Sequence, residues 1–266
     1  FTVAVKTDGT VWSWGQASDG RLGHNANPAN DVSSPIQIGA LTNWSEVSSG
    51  TNHCLAIKTD GTLWAWGDRG SGKLGDNSES SSVSSPTQIG SETNWTRVVA
   101  VKNTSFAKTT TGEWYVWGAN STGVYGNNTE GAATQASSPV QLAAADVDWL
   151  EGGESNFIIA VKTDGSLFAW GDANLGKLGN NTQTPNKSSP IQIGSLTNWA
   201  KSGCGRQHAL CTKTDGTLWS WGDNANGQLG QNNRTYRSSP VQVGAETTWL
   251  EARGGHEVTL AFVGTT

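Results

Sequence analysis

Methionine is absent from the 266 residues, and cysteine occurs only at Cys54, Cys204 and Cys211. An odd count at no metal-ligand spacing argues against a disulfide framework and against a thiolate metal centre, so free thiols are expected, and no metal or cofactor. Charge is sparse too: 15% of residues are Asp, Glu, Lys or Arg, with a net charge of -5. Without clustered Lys and Arg there is no electrostatic footprint for nucleic acid, and no nucleic-acid partner is expected. No apolar run approaches the roughly 20 residues of a membrane helix, so no membrane insertion is expected. A convincing helical period is also missing, which argues against a helix-containing horseshoe repeat.

What the chain has instead is glycine, 34 residues, and tryptophan, 14 residues. Both follow a repeat. The stretch KTDGTLWAWGDRGSGKLGDN from Lys58 has near-copies from Lys6, Lys162 and Lys213, and a drifted copy, TTTGEWYVWGANSTGVYGNN, from Thr109. The Trp-Gly pairs fall at Trp14, Trp66, Trp117, Trp170 and Trp221, a period of 51 to 53 residues, within the range of propellers and solenoids. A pattern present five times reads as architecture, because catalysis needs one constellation and not five equivalent ones.

One period resolves into four short strands. Trp44 to Gly50 leads into HCLAIK, His53 to Lys58, where residues alternate with the period of a strand. Asp-Gly then turns the chain, as in a tight hairpin, into TLWAWG, which places Trp64 and Trp66 on one face. After a polar loop comes SSPTQIG, whose Pro86 suits the first residue of an edge strand. Calling these strands A to D, the period is an antiparallel meander that cannot cover both its faces alone; blades packed face to face can, as in a β-propeller. The pattern Trp-Gly-x4-Gly-x-Leu-Gly-x-Asn could suggest a phosphate loop. That reading needs a helix N-terminus behind the glycines, and five copies without one are turn glycines.

The segments GTNHCLAIKTDGTLWAWGDRGSGKLG and GRQHALCTKTDGTLWSWGDNANGQLG resemble the repeat of the regulator of chromosome condensation family: Gly-x-x-His, an apolar strand, a glycine turn, aromatic-x-Trp-Gly, then Gly-x-Leu-Gly. The resemblance covers essentially the whole chain and implies an all-β fold, a β-propeller of four-stranded antiparallel blades, seven in the founding members. The chain departs from the family in having five full periods. It carries the family histidine only at His53 and His208, with Phe1, Thr104 and Phe157 at that position elsewhere, and it loses the turn aspartate in the third copy, where Thr111 precedes Gly112.

The domain is expected to be single, with repeat units near 1–43, 44–94, 95–148, 149–198 and 199–248 and a partial repeat at 249–266. Strand B occurs six times, against five for A, C and D. Either one terminal strand is displaced from a five-bladed ring, or the chain is a segment of a longer one with more blades. The start in mid-repeat without Met favours the second expectation.

Chain reversal at each turn puts A–B and C–D loops on one face. The C–D loops vary most among the repeats, and variable loops on a rigid scaffold usually carry binding. Asp76, Glu79 and Glu130 lie in the second and third of these loops, and Lys187, Arg234, Tyr236 and Arg237 in the fourth and fifth. The arginines flanking Tyr236 have the composition of an interaction hot spot. His24, His53, His208 and His256 are scattered, with a blade-internal hydrogen bond expected for His53 and His208. Asp60, Asp164 and Asp215 belong to turns, and Asp223-Asn-Ala-Asn-Gly lacks the terminal Glu of a calcium loop. No catalytic residue emerges. The expectation is a non-enzymatic structural or recognition module contacting a protein partner or assembly subunits, with a virion, phage or bacterial surface as the setting the Asn/Ser/Thr/Gly-rich loops suggest. A glycan-binding propeller is the alternative, discriminated by whether Trp44, Trp95, Trp149, Trp199 and Trp249 are exposed, and burial is expected. Nucleotide exchange on a small GTPase, implied by the family resemblance alone, has no insertion in the regular period to support it.

Overall fold

A computed structural model describes residues 1–25 and 31–264; part of the first C–D loop, at 26–30, lies outside the described residues. Six antiparallel sheets follow one another along the chain. The first holds β1 (Thr2–Val5), β2 (Val11–Gly15) and β3 (Val32–Gln37). The second holds β4 (Trp44–Ser49), β5 (His53–Lys58), β6 (Leu63–Gly67) and β7 (Val83–Ile89), and the third β8 (Trp95–Val101), β9 (Thr104–Thr109), β10 (Trp114–Gly118) and β11 (Ala136–Gln141). The fourth is β12 (Val147–Gly153), β13 (Phe157–Lys162), β14 (Leu167–Gly171) and β15 (Lys187–Gln192). The fifth is β16 (Trp199–Cys204), β17 (His208–Lys213), β18 (Leu218–Gly222) and β19 (Arg237–Gln242), and the sixth pairs β20 (Trp249–Gly254) with β21 (Thr259–Val263). Strand order is sequential in every sheet, the meander read from the repeat. These are the blades of a propeller.

The contacts divide the chain into two compact units. One comprises 1–119 and 132–142, with the first three sheets; the other comprises 120–131 and the chain from 143 on, with the last three. In the first unit, β5 is buried along its whole length, because its two faces meet different neighbours. Cys54 and Ala56 pack with Trp44, Trp66, Val11 and Ile38 towards the first sheet, while Leu55 and Ile57 pack with Trp95, Trp117 and Ala107 of the third. The second unit repeats this where Phe157, Ile159 and Val161 meet Trp199 and Trp221. The strand-C indoles of Trp66, Trp117, Trp170 and Trp221 are fully buried. Each removes roughly 200 Å² from water, about 5 kcal/mol of gross hydrophobic stabilisation.

Each of these indoles also bonds to the preceding repeat. Trp66 Nε1 donates to the carbonyl of Arg21, Trp117 to Lys73 and Trp221 to Lys177, each at 2.9 Å, and Trp170 to Val124 at 2.7 Å. The acceptor is always the x of Gly-x-Leu-Gly. The glycine after it must let the indole approach: at Gly75, with φ of 83°, an added Cβ would lie 2.7 Å from Trp117 Nε1. The asparagine closing the pattern adds a backbone bond to the next D strand, as from Asn77 N to Ser137 O at 2.8 Å.

The Asp-Gly turns are built by side chains. Asp60 Oδ1 accepts from the Thr62 amide at 3.0 Å and its hydroxyl at 2.6 Å, and Thr62 Oγ1 accepts from Trp64 Nε1 at 2.8 Å. Asp8 and Asp215 do the same with Thr10–Trp12 and Thr217–Trp219. Gly61, at φ 78°, lies against the following linker, where a Cβ would come 2.0 Å from the Thr93 carbonyl oxygen. In the third repeat the missing aspartate is replaced from two positions on, since Glu113 accepts from the hydroxyls of Thr109 and Thr111.

Pro86 departs from expectation. It lies on an outer strand, β7, but inside it and not at its start. The register shift between Ala65 and Gly67 on β6 opens the ladder there, so the missing N–H breaks no regular pair.

Candidate functional site

The turns confirm the sorting of loops by face. In the first unit, the Arg21 guanidinium at the start of the C–D connection reaches the Thr51 carbonyl of the next A–B loop at 3.4 Å, and Asp68 N donates to Asn52 O at 2.8 Å. In the second, Thr122 Oγ1 donates to Asn156 O at 3.0 Å. The A–B and C–D loops thus interlock.

Farther along, neighbouring C–D loops meet each other. Glu79 Oε1 accepts from Gln135 Nε2 at 2.9 Å, linking the second and third loops within the first unit. In the second unit Tyr236 Oη accepts from Gln183 Nε2 at 2.8 Å, linking the fourth and fifth. Tyr236 remains 44% exposed, with Arg234 exposed beside it. Lys187 and Arg237 were expected in these loops. They instead open β15 and β19, opposite Gly171 and Gly222 of their C strands, because the D strand begins before the Ser-Ser-Pro triplet. Asp76 lies nearer the interior: its Oδ2 is held by Arg69, with Nη2 at 2.6 Å and Nε at 2.8 Å. The candidates therefore separate into a solvent-facing pair, Arg234 and Tyr236, two strand-opening cations, and two carboxylates engaged by neighbours in the first unit. Glu130 is also solvent-facing.

The two family histidines join blades, correcting the blade-internal expectation. His53 Nε2 lies 2.9 Å from Ser105 Oγ of the next B strand, and Ser105 donates to the Lys73 carbonyl at 2.6 Å. His208 Nε2 lies 3.0 Å from Thr259 Oγ1, which donates to Gln228 O at 2.7 Å. Burial, with Lys73 nearby, depresses the His53 pKa to about 3, and burial lowers His208 to about 4. These are neutral, structural imidazoles. Cys54 and Cys211 are buried and Cys204 half-buried, all free thiols, and burial pushes the thiol pKa of each upward. Among the described residues no group of three or more His, Cys, Asp or Glu could hold a metal ion.

Two charged arrangements escaped sequence reading. Behind four of the five C strands, the residue after Trp-Gly pairs with the x of Gly-x-Leu-Gly, as Gln16 does with Arg21 at 3.0 Å in the first repeat. Lys73 Nζ lies 2.5 Å from Asp68, Lys177 Nζ 2.8 Å from Asp172, and Gln228 Nε2 donates to Asp223 at 3.0 Å. Ala119 and Val124 occupy the two positions in the third repeat, so the pairing could have been found from the two positions changing together. The other is on the A strands of the second unit. Lys201 lies 3.3 Å from Glu251, and Arg253 2.5 Å from Glu151 and 3.5 Å from Glu251. Burial alone would raise Glu251, but Arg253 and Lys201 hold its pKa below the usual value. Its signal was the residue two after each strand-A tryptophan, which alternates in sign from Glu46 through Arg97, Glu151 and Lys201 to Glu251.

The strand-A aromatics are turned inward. Trp44, Trp95 and Trp199 are buried and Trp149 and Trp249 half-buried. Trp44 packs edge-on against Trp64 and Trp66, at 5.7 and 6.4 Å, as Trp199 does against Trp219 and Trp221.

The fold is shared with solved structures. Human WBSCR16 superposes with a TM-score of 0.86 at 20% identity, over 99% of this chain and 69% of that one. Prp20p of Saccharomyces cerevisiae, whose structure was described with its binding to Gsp1p and histones, gives 0.80 at 17% identity, over 97% and 65%. In sequence, the E3 ubiquitin-protein ligase HERC2 of Mus musculus is 31% identical over 229 residues, 82% of this chain and 5% of its own. The ultraviolet-B receptor UVR8 of Arabidopsis thaliana is 31% identical over 246 residues, 87% of this chain and 53% of its own. The chain thus spans about half of UVR8 and a small part of HERC2. A family model described as RCC1-like domain matches residues 1–261, and with the indole stitches, buried histidines and four-stranded blades already described, the chain belongs to the RCC1-like domain family of β-propellers.

Proposed function

We propose that this propeller is a non-enzymatic recognition module that binds a protein partner through its C–D loops. The observation that carries this reading is the joining of neighbouring loops, Glu79 with Gln135 and Tyr236 with Gln183, which makes continuous polar surfaces from segments that differ in every repeat. Preordered loops lose less entropy on binding, and an exposed tyrosine flanked by arginines is suited to a protein interface. The relatives supply a precedent: Prp20p is described with Gsp1p, with histones and bound to Kap60. Burial of Trp44, Trp95 and Trp199 favours this reading over a glycan-binding one. A setting on a virion or cell surface rests on loop composition alone.

The test is affinity capture with the wild-type chain, an Arg234→Ala/Tyr236→Ala variant and a Lys6→Ala control on the opposite turns. Proteins retained by wild type and control but lost from the loop variant are expected. Equal retention by all three would remove the C–D surface from the function.

A further inference from the structure

Four of the five repeats place their own lysine over the strand-C aromatic ring. Lys58 Nζ lies 3.5 Å from the centroid of Trp64 and 4.9 Å from that of Trp44; Lys213 lies 3.8 Å from Trp219 and 4.6 Å from Trp199. Lys6 over Trp12 and Lys162 over Phe168 are looser versions, at 5.4 and 4.7 Å. The third repeat has Thr109 at the lysine position, and its hydroxyl is turned to Glu113 at 2.8 Å. Its aromatic pair remains: Trp95 and Tyr115 meet edge-to-face at 5.3 Å.

A cavity of about 510 Å³ opens at this place, within the first unit, between the second and third blades. Trp95, Tyr115, Thr109, Ile89, Asp76 and Glu92 are among its lining residues. The corresponding cavity between the first and second blades, lined by Trp44 and Trp64, is about 330 Å³. Position for position, the larger cavity has Asp76 and Glu92 where the smaller has His24 and Leu41. So where the repeat gives up its cation, two carboxylates have been added to the wall. Arg69 engages Oδ2 of Asp76, and Oδ1 is buried with no hydrogen-bond partner among the described residues.

We propose that this interblade cavity binds the ammonium group of a lysine side chain presented by a partner protein, in the place that Lys58 and Lys213 fill intramolecularly in the sister repeats. The volume lies within the ordinary range for ligand pockets. An ammonium over Trp95 and Tyr115 gains cation–π attraction, Glu92 adds opposite charge at the rim, and the apolar lysine stem covers Ile89 and the ring faces. The inference rests on the protein-recognition reading but uses a surface separate from Arg234 and Tyr236.

The test is titration of the chain with Nα-acetyl-lysine methylamide, followed by NMR shifts of the Trp95 and Tyr115 ring protons, beside its Nε-acetylated counterpart. Saturable shifts with the charged probe are expected, with affinity falling at least about fivefold on Nε-acetylation and in Glu92→Gln. Thr109→Lys, which restores the sister-repeat lysine without emptying the core, is expected to abolish the shifts. Absence of shifts in the wild type, equal binding of the acetylated probe, or full binding by Thr109→Lys would overturn the proposal. If the lysine probe is silent while partner capture still depends on Arg234 and Tyr236, this inference falls and the recognition function stands.

Discussion

His53 and Ser105 are 52 residues apart in sequence and 2.9 Å apart in space, each in the B strand of its own blade. Wherever this chain has histidine at that position, the following repeat has a hydroxyl one residue further along: Ser105 after His53, Thr259 after His208. Phe1 and Phe157 are followed instead by Cys54 and Ala209, so the polar and apolar versions of the joint are alternatives.

The pH dependence of stability follows from this pair. Burial and Lys73 lower the folded pKa of His53 from 6.5 to about 3, with Asp68 opposing. The unfolded chain therefore takes the proton first. The stabilisation is fully present above about pH 6.5 and is lost as pH falls towards 3, with a limiting slope of about 1.4 kcal/mol per pH unit for this histidine. Urea midpoints measured from pH 7 to 4.5 are expected to fall more steeply for wild type than for His53→Phe. Parallel curves would show that His53 is not held neutral.

Two turn glycines form a matched pair. Gly61 and Gly112 both have positive φ, 78° and 95°, but an added Cβ at Gly61 meets the Thr93 carbonyl oxygen at 2.0 Å, whereas at Gly112 nothing lies within 4 Å. Gly112→Ala is expected to cost about 1 kcal/mol, from backbone conformation alone, and Gly61→Ala at least about 2 kcal/mol more. Thermal unfolding by circular dichroism would resolve the difference, and equal losses would rule out the close approach as the constraint.

The buried pair of Lys177 and Asp172 has an apolar counterpart in the third repeat, Ala119 with Val124. Lys177 is 1% exposed and its ammonium lies 2.8 Å from the carboxylate. Lys177→Val alone strands a partly buried carboxylate and is expected to cost about 3 kcal/mol or more. Adding Asp172→Ala should recover most of that loss, because the ion pair's attraction and its desolvation penalty disappear together. A double variant no better than the single one would mean that the lysine acts through packing against Phe157, whose ring centroid is 5.7 Å away.

The repeat was legible because its parts are local. Asp60, Gly61 and Thr62 build their turn from neighbouring residues, and the alternation in His53–Lys58 and in Leu63–Gly67 follows from strand geometry whatever surrounds it. Strand number, strand order and family therefore came from the chain itself. Tertiary structure decided what these residues bond to. The acceptors of Trp66, Trp117 and Trp221 are backbone carbonyls 44 or 45 residues earlier, which side-chain periodicity does not encode. Lys187 and Arg237 read as loop residues because the D strand starts with polar residues, while Asp76 read as a solvent-facing charge until Arg69 and the second and third blades closed around it. Local chemistry specifies a blade, and the packing of one blade against the next determines which of its polar groups remain for a partner.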